Sequence, residues 1–119
     1  MGAPMSTGCS ATPSAAPSWL TTEVRSETDG VRALLVGELD LATADQLTGL
    51  VDELVRDGCR SLVLDLTALA LCDARGLSAF LAVHRALADA GGDLTMTGVP
   101  PLVRQLLDIT ELSTVFRLR

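Results

Sequence analysis

Apolar and polar residues follow strand-like and helix-like periods along this chain from about residue 19 onward. Residues 1–18 show no such period and consist mainly of Ser, Thr, Pro, Ala and Gly. A segment of that composition buries too little apolar surface to offset the entropy lost on ordering. We therefore expect a disordered tail at 1–18 and one folded domain at 19–119.

The first half of the predicted domain has the pattern of a β-hairpin followed by a helix. Strand-like runs at 20–28 and 31–37 flank Asp29 and Gly30, two residues that tolerate positive φ and favour a tight turn. Residues 37–40 are expected to close the hairpin. Thr43 and Gln46 then have the spacing of a capping box, which predicts a helix that ends near Gly58.

The centre of the chain is an apolar run at 62–66, a short connection, and a helix that begins at Asp73. The run is nearly continuous Leu and Val, which is typical of a strand buried on both faces. The carboxylate of Asp73 can accept hydrogen bonds from free N–H groups of the first turn, so it is a predicted N-cap. The predicted apolar stripe of this helix is Leu77, Phe80, Leu81, His84, Leu87 and Ala88.

The remaining elements complete the predicted α/β fold. Residues 94–98 alternate as a strand with one polar face, 100–110 have the pattern of a short amphipathic helix, and 114–118 form a last strand. Strands and helices alternate after the hairpin, which predicts a mixed, mostly parallel sheet. Ala74 and Arg75 should then lie at an exposed helix N-terminus beyond the carboxyl end of a central strand, where open sheets place working residues.

Composition excludes several classes of function. Fifteen acidic and nine basic residues give a net charge of −6, whereas a nucleic-acid partner requires a basic face. No apolar segment has membrane-spanning length, and no signal-peptide pattern is present. We expect a cytoplasmic protein with no nucleic-acid partner and no direct membrane insertion. All basic residues are Arg, and Lys, Asn and Tyr are absent, which indicates a high-GC bacterial genome.

The residues with reactive side chains form no convincing catalytic or metal-binding pattern. Asp40 and Asp73 could pair for acid–base work, but Asp73 fits a cap and Asp40 fits the exit from the hairpin. His84 falls on the apolar stripe, where a half-buried structural histidine is expected. The cysteines are widely spaced without a C-x-x-C pair, and they are Cys9, Cys59 and Cys72. We expect a binding protein, not an enzyme, with no cofactor and no metal.

The ordered set of motifs resembles the STAS domain of bacterial anti-sigma factor antagonists. The family pattern D-L-S/T-x(5)-D-S-S/A-G-L is matched here by residues 65–67 and 73–77, which read Asp-Leu-Thr and Asp-Ala-Arg-Gly-Leu. Further matches are 37–40, the glycine pair 91–92 and 100–107, so the resemblance covers roughly 19–119. It implies that the helices pack on one face of the sheet.

The resemblance also implies a mechanism that depends on position 75. In the family, a GHKL-type kinase that is also the anti-sigma factor phosphorylates a serine there, and about −1.5 to −2 of charge then disrupts the interface. Unphosphorylated, the surface captures the anti-sigma factor and frees a sigma factor for transcription. Arg75 has no hydroxyl, so this switch cannot operate at that position. Ser78 and Thr67 are alternative acceptors, although Ser78 also fits a solvated helix face and Thr67 a loop cap.

The partner-binding surface implied by the resemblance consists of Asp40, Thr43, Asp73, Ala74, Arg75, Gly76, Leu77 and Ser78. A cation in the first turn opposes the helix dipole at a cost of about 0.3–1 kcal/mol. Gly76 costs about 1 kcal/mol relative to Ala unless a close backbone approach requires it. Two unfavourable residues side by side favour a contact surface, and the alternative is drift in a paralogue that lost its regulation.

Three functions follow as hypotheses. The first is an anti-sigma factor antagonist-like protein that sequesters an anti-sigma factor by protein–protein contact, without a phosphorylation switch at Arg75. The second is an accessory subunit of an ABC-type membrane transport complex, because STAS-like subunits also dock on transporter ATPases. The third is a small-ligand sensor in a larger regulatory assembly, for which no residue pattern provides support.

Overall fold

The computed structural model describes residues 19–119, so the tail predicted at 1–18 and Cys9 lie outside the described residues. The described part contains six strands and three α-helices. In chain order they are β1 Leu20–Glu27, β2 Gly30–Leu39, α1 Ala44–Arg56, β3 Ser61–Asp65, β4 Leu69–Cys72, α2 Ala74–Asp89, β5 Asp93–Thr97, α3 Pro101–Ile109 and β6 Arg117–Leu118. A 3-10 turn, Leu112–Thr114, lies between α3 and β6.

The strands form one mixed sheet in the order β1-β2-β3-β5-β6, and β4 lies beside the second half of β2. β1 and β2 are antiparallel, whereas β2 with β3, β2 with β4, β3 with β5 and β5 with β6 are parallel. The α/β class, the N-terminal hairpin and the mostly parallel sheet expected from the sequence are therefore confirmed.

The sheet is fully buried on one face only. In β3, Leu62 and Leu64 are buried, whereas Val63 and Asp65 between them are half-buried. The buried strand residues form a single cluster with buried residues of all three helices, including Leu47, Val51, Phe80, Val83, Leu87, Val103 and Leu107. The helices thus pack on one face, as the resemblance implied. The prediction of a strand buried on both faces is wrong, because none of the described helices covers the second face.

β2 is longer than predicted, because residues 37–40 do not close the hairpin. The strand continues to Leu39, and its last part pairs with β4 through Glu38 opposite Leu71 and Leu39 opposite Cys72. β4 is a four-residue strand inside the segment expected to be a short connection. β3 pairs with residues 31–34 of β2 and β4 with residues 37–39, so the two strands flank successive parts of β2. The ladder between β2 and β4 shifts register between Gly37 and Glu38.

Two helix details differ from the sequence predictions. Thr43 is the N-cap of α1, but its side chain makes no cap hydrogen bond, so the predicted capping box is wrong. The buried face of α2 includes Ala79 and Val83, whereas Ala88 of the predicted stripe is exposed. α2 packs against α1 as well as against the sheet, which gives it a wider buried face than a single stripe.

The C-terminal strand is also shorter than predicted. Only Arg117–Leu118 pairs with β5, because the residues before it form the 3-10 turn, in which the amide of Val115 donates to the carbonyl of Leu112.

Because β3 is fully buried on one face only, alanine substitutions at neighbouring residues should lower the free energy of unfolding by different amounts. Leu64→Ala should lower the free energy of unfolding by about 2–5 kcal/mol, because Leu64 is fully buried. Val63→Ala on the half-buried face should cost about 1 kcal/mol or less. Urea denaturation of the two variants measures the difference, and equal losses would contradict one-sided burial.

Candidate functional site

The first turn of α2 is fixed at the carboxyl end of β2 by a capping carboxylate. The amide of Asp73 donates to the carbonyl of Leu39 at 3.3 Å. Asp73 Oδ1 in turn accepts hydrogen bonds from the amides of Arg75 at 2.9 Å and Gly76 at 3.0 Å. The N-cap predicted at Asp73 is therefore confirmed, and it satisfies two of the free donors at the helix start.

Gly76 is explained by packing. A Cβ at this position would lie 2.5 Å from the carbonyl oxygen of Leu39 and 2.9 Å from Sγ of Cys72. Backbone cannot move away as a flexible side chain can, so only glycine fits here. Gly76 is therefore required by the close approach of α2 to β2, in spite of its low helix propensity. Its presence is no longer a reason to infer a contact surface at this turn.

The side chain of Arg75, by contrast, has no structural role that the described residues reveal. Its side chain is exposed and forms no ion pair or hydrogen bond within residues 19–119. Ala74 and Ser78 are also exposed, and Ser78 Oγ donates to the carbonyl of Ala74 at 3.1 Å. Leu77 faces the other way and is only 6% exposed. The outer side of this turn is therefore Ala74, Arg75 and Ser78, supported from within by Gly76 and Leu77.

The loop after β2 lies beside this turn and is held by Thr43. Thr43 is 2% exposed, and its Oγ1 donates to the carbonyl of Glu38 at 2.7 Å and accepts from the amide of Asp40 at 3.0 Å. Asp40 is half-buried, and its Oδ1 accepts from the amide of Ala42 at 3.0 Å. Thr43 and Asp40 thus shape the loop. Leu41, which sequence reasoning missed, is 68% exposed at its tip.

An apolar groove continues from the α2 start on the side of β4. Residues 69–72 of β4 and 100–103 at the start of α3 line this groove, which has a volume of about 220 Å³. Its rim is formed by Leu71, 47% exposed, and Leu102, 77% exposed. Leu102 lies in the segment 100–110, for which the sequence predicts a short amphipathic helix. The groove could not be found from sequence, because one wall is the unpredicted strand β4.

The hydroxyl of Thr67, a candidate phosphate acceptor, is hydrogen-bonded within its own loop. Its amide and its Oγ1 both donate to Asp65 Oδ1, at 3.0 and 2.6 Å. These two hydrogen bonds, the side-chain bond first, hold the pKa of Asp65 below its usual value. This geometry agrees with the loop-cap interpretation of Thr67.

The side chains near the α2 start include one thiol, that of Cys72. Burial, together with the nearby carboxylate of Asp73, raises the pKa of Cys72 to about 12, so this thiol stays protonated at neutral pH. Among residues 19–119 no three His, Cys, Asp or Glu side chains are grouped to hold a metal ion. His84 is half-buried and packs edge-on against Phe116 with ring centroids 5.7 Å apart.

Within residues 19–119, none of the helices combines the length and hydropathy needed to cross a membrane.

A mixed sheet with helices on one face, and an exposed, capped helix start at the end of β2, define the class of this protein as an α/β domain. The chain matches the family model "Mlab, STAS domain" over residues 22–118. It is 35% identical over 79 residues to the anti-sigma F factor antagonist of Paenibacillus polymyxa, covering 66% of this chain and 68% of that protein. It is 30% identical over 76 residues to the anti-sigma-B factor antagonist of Staphylococcus aureus, covering 64% and 70%. The chain therefore belongs to the STAS domain family.

Solved structures agree with this assignment. A crystal structure of an anti-sigma factor antagonist from Mycobacterium paratuberculosis superposes with a TM-score of 0.76 at 28% identity, covering 87% of each chain. Unphosphorylated SpoIIAA shares the fold, with a TM-score of 0.66 at 18% identity over 83% of this chain and 87% of that one. The general role of the chain is that of a non-enzymatic regulatory protein of the anti-sigma factor antagonist type.

The packing of α2 on β2 predicts that one substitution has opposite effects at two helical glycines. Gly49→Ala should raise the free energy of unfolding by about 0.5–1 kcal/mol, because a Cβ there meets nothing within 4 Å. Gly76→Ala gains the same helix propensity but should lower stability by about 1–3 kcal/mol, because it collides with the Leu39 carbonyl. Urea denaturation gives both values, and stabilisation by Gly76→Ala would contradict the close approach.

Proposed function

We propose that this protein binds and sequesters an anti-sigma factor through a surface centred on Arg75, and that phosphorylation at this position does not control the binding. We define the docking surface as the outer side of the α2 start (74, 75 and 78), the loop 40–43, and the groove between β4 and α3. The observation that carries the proposal is the exposed Arg75 side chain, which has no partner within residues 19–119.

The docking surface combines features that stable interfaces use. Leu41 in the loop, Leu71 in β4 and Leu102 in α3 are large exposed apolar side chains, and Arg75 adds an exposed guanidinium. Apolar side chains contribute binding free energy when they leave water, and Arg is enriched among the residues that dominate interfaces. A partner carboxylate could accept two parallel hydrogen bonds from Arg75, which fixes the orientation of the complex as well as its strength.

The same side chain removes the family switch. Arg75 offers no hydroxyl for phosphoryl transfer, and its guanidinium carries a positive charge. Ser78 lies one turn further along α2 and donates to the carbonyl of Ala74, while Thr67 is bonded to Asp65. We propose that neither residue accepts a phosphoryl group.

The proposed partner is an anti-sigma factor of the GHKL kinase type. The resemblance to the antagonist family and the names of the relatives support this choice. The net charge of −6 opposes a direct contact with nucleic acid, so control of transcription would act through the protein partner.

Incubation with the anti-sigma factor kinase and ATP tests the absence of the switch. We expect no phosphate on residues 73–78 by intact-mass and peptide mass spectrometry, and equal capture of the kinase with ATP or without nucleotide. Stoichiometric phosphate on Ser78, or loss of binding once ATP is added, would contradict the proposal.

Substitution of Arg75 tests its part in binding. Arg75→Ala should weaken the complex about 10–30-fold, because an interface arginine loses its partner. Arg85→Ala is the matched control, since Arg85 is an exposed arginine on the same helix outside the docking surface. Isothermal titration gives both affinities, and equal values for the two variants would favour drift at position 75.

Arg75→Ser tests whether the rest of the phosphorylation site is intact. We expect this variant to gain kinase-dependent phosphate and to release the kinase once modified, because about −1.5 to −2 of charge enters the docking surface. A kinase that binds the serine variant without modifying it would show that more than the hydroxyl has been lost.

Affinity purification from the native cell separates this proposal from the transport alternative. A co-purifying anti-sigma factor supports the proposal, whereas a transporter ATPase subunit supports the accessory-subunit hypothesis.

A further inference from the structure

The free edge of β1 is a second open surface, separate from the docking surface. Among the described residues, β1 pairs with β2 alone, along all eight residues of Leu20–Glu27. The carbonyl of Trp19 accepts the amide of Glu38 at 2.9 Å, so the odd-numbered residues of β1 bond to β2. The backbone N–H and C=O groups of Thr22, Val24 and Ser26 therefore face outward, without a partner strand.

This edge carries two opposite charges that the described part of the chain leaves unpaired. Glu23 and Arg25 are exposed, and they lie opposite Leu34 and Arg32 of β2, on the face that the helices do not cover. Neither forms an ion pair within residues 19–119. Arg32 instead forms ion pairs with Glu27 at 3.3 Å and with Asp65 of β3 at 3.6 Å. Arg25 thus faces a like charge across the ladder.

We propose that this edge binds a second copy of the chain, with β1 antiparallel to β1 around a two-fold axis at Val24. In this register Glu23 of each copy lies opposite Arg25 of the other, and Thr22 lies opposite Ser26. The two neighbouring symmetric registers would place Glu23 opposite Glu23 or Arg25 opposite Arg25. Like charges opposed across a ladder are unfavourable, so charge selects one register.

The backbone and the apolar residue at the centre fit the same register. The outward-facing groups of Val24 meet those of Val24 in the second copy, and those of Thr22 meet those of Ser26, which completes an antiparallel ladder. Glu23 and Arg25 then occupy the non-hydrogen-bonded pairs, in which side chains approach most closely. Val24, which is 45% exposed in the single chain, becomes covered at the centre.

The resulting dimer is a weak one with a defined geometry. A single pair of edge strands buries less area than the roughly 1,200–2,000 Å² of stable interfaces, so association belongs in the micromolar range or above. A two-fold axis perpendicular to the sheet keeps every residue on its own face. The helices of both copies therefore lie on the same side of one continuous sheet.

Sedimentation velocity on the chain of residues 1–119, from about 5 to 500 μM, tests the proposal together with charge reversal. We expect concentration-dependent dimer in the parent protein, weakened by salt. Arg25→Glu and Glu23→Arg should each weaken dimerisation about tenfold or more, since each places like charges opposite one another. The double variant Glu23→Arg/Arg25→Glu should restore it, which a folding defect could not do. Arg85→Glu, away from the edge, is the matched control for charge alone and should leave the dimer unchanged.

Three results would overturn the proposal. A monomer at every concentration would mean that the charges only protect the edge from aggregation. A dimer insensitive to both single reversals would place association elsewhere on the molecule. A double variant that stays monomeric would reject the pairing of Glu23 with Arg25. Because Arg75 is unchanged in all these variants, none of the results depends on the proposed function.

Discussion

The first turn of α2 packs so closely on the end of β2 that a side chain at position 76 has no room beside the carbonyl of Leu39. The same carbonyl accepts the amide of Asp73, and the Asp73 carboxylate holds the amides of the next turn. Backbone contacts and one capping group thus fix this turn, and the side chain of Arg75 takes no part in them. The residue at position 75 can therefore change without a change of fold, and it determines the charge that the turn presents to a partner.

The sequence predicted those elements of the fold whose signals are local. The hairpin, the three helices and the positions of the longer strands along the chain all follow from periodicity and turn residues. β4 was missed because a strand of four residues is too short to show a clear alternation of apolar and polar residues. Its pairing partner also lies some thirty residues earlier, in the segment 37–39. The run at 62–66 was wrongly expected to be buried on both faces, since apolar content does not reveal which face receives a helix.

In the candidate site, too, local features could be predicted from the sequence and features that depend on the tertiary fold could not. The cap at Asp73 was predictable because an N-cap carboxylate accepts hydrogen bonds from amides only two or three residues further along the chain. The capping box at Thr43 failed because its hydroxyl bonds instead to the carbonyl of Glu38 and the amide of Asp40. Gly76 could be interpreted only once the position of Leu39 was known. Leu41 and the groove beside β4 were missed because exposure depends on which surfaces the tertiary fold leaves open.

In our proposal, the chain retains the antagonist scaffold but presents a permanent positive charge where a reversible negative one would regulate binding. Amide hydrogen exchange, measured for the free protein and for its complex with the anti-sigma factor, tests the location of that recognition most directly. We predict slower exchange in the complex across 39–43 and 69–78, with the hairpin turn at 26–32 unchanged. Protection confined to the hairpin or to α1, with none at 73–78, would contradict the assignment of Arg75 to the docking surface.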